Sequence, residues 1–68
     1  MLVTAILTPA QEGGFNALNP ETGTASQGDT VDEAIANLRE AVELYLDVFP
    51  MRVAGASLMT TISVAEHA

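Results

Sequence analysis

The stretch Gly28-Asp29-Thr30-Val31-Asp32-Glu33, running into an apolar-periodic segment that ends at Asp47-Val48-Phe49-Pro50, constrains this chain more than any other. Thr30 followed three residues later by Glu33 is a capping box. The Thr hydroxyl can accept from the backbone N–H of Glu33 while the Glu33 carboxylate reaches back to the N–H of Thr30. Apolar residues then fall at Val31, Ala34, Ile35, Leu38, Val42, Tyr45, Leu46 and Phe49, returning to one face at every turn. Pro50 has no N–H to donate and pushes its predecessor out of the α region, so the helix is predicted to stop at Val48 or Phe49. Such a helix is roughly 27 Å long, enough to cross a small sheet.

Ahead of it the chain reads as strands. Residues 2–7 are apolar on both alternating faces, which predicts a central strand closed by Pro9. Gly13-Gly14 marks a hairpin loop, and residues 15–18 form a second strand with Phe15 and Ala17 on one face, Asn16 and Leu18 on the other. Asn19-Pro20-Glu21-Thr22-Gly23 is a strong turn signal, followed by a short polar edge strand over residues 24–27. After Pro50, residues 51–57 read as a loop. Residues 58–64 alternate, with Leu58, Thr60, Ile62 and Val64 on one side, which predicts a fourth strand. The expected fold class is α/β (α+β): β-β-β-α-β, a small mixed sheet with one helix packed on one face.

At 68 residues the chain is one domain with a thin core. It has no cysteine, and His67 alone cannot build a zinc site, so oligomerisation is the remaining staple for so small a scaffold. Nine acidic residues against Arg39 and Arg52 give a formal charge of −7, the wrong sign for gripping a phosphate backbone. No direct nucleic-acid binding is expected; a basic protein partner suits this charge. The apolar opening residues 1–7 are too short for a signal peptide and lack its basic start. No run approaches the roughly 18 apolar residues of a membrane span, so a cytoplasmic protein without membrane association is expected.

Spacing residues at about 100° divides the helix into arcs. Val31, Ile35, Leu38, Val42, Tyr45, Leu46 and Phe49 form the core arc; Asp32, Glu33, Arg39, Glu40, Glu43 and Asp47 form a charged arc. Between them Asn37, Ala41, Leu44 and Val48 make a shoulder too apolar for a solvated flank. It is either a partner contact or is covered by the loop of residues 51–57. Asp29, Asp32 and Glu33 are explained by the helix N-terminus, which favours anions by about 0.3–1 kcal/mol each. Glu43 and Asp47 sit near the C-terminus, where the same dipole opposes them. Glu40, Glu43, Leu44, Asp47 and Val48 are therefore the expected partner interface, with Thr30 and Glu33 a structural cap. No catalytic constellation, cofactor loop or metal-ligand spacing is present in the sequence, so no enzyme, cofactor or metal is expected.

Residues Gly23 to Ala34, continuing through Asn37 to Leu46, resemble the HicB-like antitoxin family, whose helix is entered by "QGDT-xx-EA" and ends "EALELYL". Gly13-Gly14-Phe15-Asn16-Ala17 is similar to that family's "GGY-x-A" second strand, and residues 58–64 resemble its last strand. The family's "PGC" before the third strand is here Thr22-Gly23-Thr24. The resemblance implies a partial RNase H-like fold, with the fourth strand parallel to the first, in a single domain over residues 1–68 lacking the family's common C-terminal DNA-binding domain. It further implies a homo-oligomer that neutralises a small basic ribonuclease toxin of the HicA type by masking its RNA-binding or catalytic surface. The alternatives are a stand-alone oligomeric or small-ligand-binding domain with no toxin partner. A metal-dependent nuclease is suggested by fold analogy alone, and the strands supply no acidic residue for it.

Overall fold

The computed structural model describes residues 1–66; His67 lies outside the described residues. Three antiparallel strands, β1 (Ile6–Pro9), β2 (Phe15–Asn19) and β3 (Thr24–Gly28), form a sheet in the order β1-β2-β3, followed by the helix α1 (Val31–Val48). This is a small α+β fold. The register pairs Ile6 with Leu18, Leu7 with Ala17 and Pro9 with Phe15, then Ala17 with Ser26 and Phe15 with Gly28. Since paired residues share a face, Leu7, Phe15, Ala17, Asn19 and Ser26 look toward α1, while Ile6, Leu18 and Ala25 make an apolar strip on the opposite face beside polar Thr8, Asn16 and Gln27.

Two expectations about β1 are corrected. It is an edge strand, with β2 in the centre, and it begins at Ile6, opposite Leu18; β2 ends one residue later at Asn19 and leaves residues 2–4 no ladder partner. Pro9 lies within the strand, tolerated because an edge can do without its N–H.

The core is Ala17, Ala34, Leu38 and Val42, with Val3, Leu7, Phe15 and Leu46 packed around it. Its centre is shifted from the arc the spacing suggests: Ala34 is buried, whereas Val31 and Phe49 are exposed. The cause is the junction between β3 and α1. A Cβ on Gly28 would lie 2.5 Å from the backbone nitrogen of Ala34 and 2.8 Å from the carbonyl carbon of Glu33. Strand and helix touch backbone to backbone there, and only glycine facing alanine permits the approach. Gly14, with φ 77°, fits the same place from the other side, since a Cβ would meet the Gly28 carbonyl oxygen at 2.7 Å.

The fourth strand does not form, and the sheet is antiparallel rather than mixed. Residues 58–64 carry no ladder bonds and are exposed throughout. Among the described residues their apolar side chains touch nothing substantial: Leu58 is fully exposed and Ile62 is 79% exposed. After α1 the chain runs beside Met1 and Leu2. It is then fastened at Ser57 to Glu21, on the turn after β2, instead of joining the free edge of β1.

Candidate interaction surface

The helix entry is built as its sequence demands. The Thr30 hydroxyl accepts from Glu33 N at 3.1 Å, and the Glu33 carboxylate accepts from Asp29 N at 3.0 Å and Thr30 N at 3.2 Å. Glu33 is thereby occupied in capping. Among the described residues no three His, Cys, Asp or Glu side chains gather in a way that would hold a metal ion.

Further along, α1 lies over β3 and β2, leaving β1 to one side. Its two flanks differ. On the β3 flank, the Asn37 amide donates to the Gln27 carbonyl at 2.8 Å, tying the helix to the sheet edge. Past that tie the shoulder is open: Leu44 is 60% and Val48 69% exposed. The loop of residues 51–57 does not cover it, because that loop lies beside Met1 and Leu2. Glu40, Glu43 and Asp47 are exposed on the adjoining outer face of the helix. No basic residue stands in the last turn to answer the helix dipole. The five residues expected at an interface thus form a continuous exposed strip, acidic along one side and aliphatic along the other. On the core side of the same end of the helix, Tyr45 and Phe49 pack in a tilted pair, ring centroids 5.2 Å apart at 40°.

On the β1 flank a groove of about 400 Å³ runs between the lead-in residues Leu2, Val3 and Ala5 and the helix residues Ile35, Val42 and Leu46, with exposed Arg39 and Glu43 completing the lining. It exists because the helix is centred over β2 and β3, so that Val3 reaches the core while Leu2 and Ala5 stay exposed.

Below the groove is a polar clasp. Asn19 is fully buried; its amide nitrogen donates to the Thr4 carbonyl and to Glu21 Oε1, both at 2.8 Å, and its oxygen accepts from Thr22 N at 2.9 Å. The Glu21 carboxylate also accepts from Thr4 N at 2.7 Å, Ser57 N at 2.9 Å and the Ser57 hydroxyl at 2.7 Å. The Thr4 hydroxyl lies 2.8 Å from Glu21 Oε2 and 3.2 Å from the Ser57 carbonyl oxygen. It has one proton, and the carboxylate is the stronger acceptor. The Thr4 N–H and the Ser57 hydroxyl, with further help from the Thr4 hydroxyl and Ser57 N–H, hold the Glu21 carboxyl down from 4.5 to about 2 against the opposing effect of burial. The sequence shows Asn19 only as the start of a turn, whereas the structure makes it the last, inward-facing residue of β2. The joining of residues 4, 21 and 57 has no local pattern to announce it.

No helix among the described residues is long and apolar enough to cross a membrane. No protein-family model matches the chain, and no solved structure matches it. It is similar to UPF0150 proteins: 47% identical over 45 residues to one from Synechocystis sp. and 44% over 46 residues to a second from the same organism. A third, from Helicobacter pylori, is 39% identical over 46 residues. These matches span 65%, 66% and 68% of this chain but 57%, 64% and 64% of the respective relatives, and the name UPF0150 states no activity, ligand or partner.

Proposed function

We propose that this protein is a non-catalytic, cytoplasmic binding protein of the HicB-like antitoxin type, which associates with itself and neutralises a small basic ribonuclease toxin of the HicA type. The observation that carries the reading is the exposed strip on α1, where Glu40, Glu43 and Asp47 lie beside Leu44 and Val48 on a rigid helix. Acidic groups of which Glu43 and Asp47 lie toward the helix end where the dipole opposes them, next to aliphatic side chains the chain leaves bare, are arranged for a partner that brings basic groups and an apolar patch of its own. A chain of formal charge −7 also draws such a partner in by long-range attraction. The resemblance of the helix-entry segment to the antitoxin family supplies the toxin as the kind of partner.

Co-expression with the product of the neighbouring reading frame tests this. The expected result is a complex with a small basic protein whose ribonuclease activity is suppressed. Raising the salt concentration should weaken it. The paired substitution Glu43→Lys, Asp47→Lys should break it while the helical signal of the chain persists. A neighbour that is not basic, or a complex indifferent to that substitution, contradicts the reading.

A further inference from the structure

We propose that residues 58–64 become a strand on the sheet of a second copy of this chain, adding to the open edge of β1 so that two copies exchange their trailing segments reciprocally. This rests on, and deepens, the self-association part of the function proposed above.

Three features meet. The first is the segment itself. Leu58, Thr60, Ile62 and Val64 alternate with Met59, Thr61 and Ser63, a half-buried strand pattern, yet every residue from 58 to 64 is exposed. The second is the edge. The N–H of Thr4 is taken by Glu21 and its carbonyl by Asn19, both on the β2 side. Alternation along the strand therefore turns the backbone groups of Ala5 and Leu7 to the free side, until Pro9 ends the edge with no N–H to offer. The third is the groove beside that edge, walled by residues 2–5 and by Ile35, Val42 and Leu46. An added strand that bonds Ala5 and Leu7 drops alternate side chains into it. Leu58, Ile62 and Val64 are the exposed apolar side chains of matching spacing.

The occupant is a second copy because of where the segment starts. Ser57 is fastened to Glu21, on the turn beyond β2, and to Thr4, at 2.7–2.9 Å, and beyond that anchor residues 58–64 form no ladder with their own β1 edge and lie in solvent. Charge points the same way. Residues 53–65 hold no charged side chain in a molecule of formal charge −7, so two copies meet through this stretch with the least mutual repulsion. Reciprocal exchange is the closed, two-fold arrangement that satisfies both segments and both edges at once.

Sedimentation of the intact chain at micromolar concentration is expected to give twice the chain mass, and Ile62→Asp is expected to halve it with the helical signal unchanged. A monomeric intact chain, or an Ile62→Asp variant that stays dimeric, overturns the proposal; in the second case self-association stands and uses another surface. Because the substituted chain could fail to fold, a second measurement uses the absence of native cysteine. Ala5→Cys and Thr60→Cys chains, mixed and oxidised, are expected to form a disulfide between the two different chains. If the double variant Ala5→Cys, Thr60→Cys instead closes within a single monomeric chain, the segment completes its own sheet and the exchange is refuted.

Discussion

Strand β2 and residues 58–64 carry the same kind of pattern, yet one is the centre of the fold and the other lies bare. Phe15–Asn19 has a strand on each side and α1 above it, so Ala17 and Asn19 are almost wholly buried. Among the described residues, 58–64 have no strand beside them, and Ile62 is left in water. Alternation states which side chains would share a face; an edge to pair with decides whether the strand exists. The hairpin loop and the Asn19–Gly23 turn hand β2 its partners within a few residues. The trailing segment is anchored at Ser57 beside a turn and pairs with no edge of its own chain.

The largest effect expected within the packed half is at Leu38, 3% exposed beneath α1. Leu38→Ala should cost about 2–5 kcal/mol, enough to unfold a domain with so thin a core, as thermal melting followed by helical circular dichroism would show. Gly28→Ala comes next: the new methyl would sit against the backbone of Ala34, and relieving the overlap should cost about 1–3 kcal/mol in the same melt. Thr30→Ala removes one half of the capping box and should lower stability by about 1 kcal/mol. At a dilution where copies are apart, Leu58→Ser should fall within about 0.5 kcal/mol of the parent. A large loss at Leu58 under those conditions would break the contrast between the two regions.

The clasp that joins the regions has its own pH signature. Glu21 titrates at about 2 in the folded chain and at 4.5 ordinarily, so its contribution is fully present above pH 4.5 and is lost as pH falls toward 2. Protection of the Ser57 amide, measured against its intrinsic exchange rate at each pH, should fall through that window before that of the core amides of β2 does. In Glu21→Gln that pH dependence should be absent, with Ser57 unprotected relative to its intrinsic rate throughout.

Much of the fold could be read in the sequence, and the limits have physical causes. α1 was legible because capping, apolar spacing and Pro50 are local and agree with one another. The β2 and β3 ranges followed from turn residues on either side. β1 was misplaced because its start depends on where β2 ends, a property of another segment. The core's displacement toward Ala34 was hidden in Gly28, whose backbone approach to the helix is a tertiary fact. Of the candidate site, exposure along Glu40, Glu43, Leu44, Asp47 and Val48 followed from helical geometry once the buried face was known. The groove and the clasp did not, since both arise from residues that meet only after α1 has crossed the sheet.

The most direct test of the central claim, that residues 58–64 are a strand waiting for an edge on another copy, is amide hydrogen exchange at Ile62 measured against that at Ala17 over a series of protein concentrations. Protection at Ile62 that rises with concentration while Ala17 stays constant is the predicted result. Protection at Ile62 that is the same at every concentration, or absent at the highest, would contradict it.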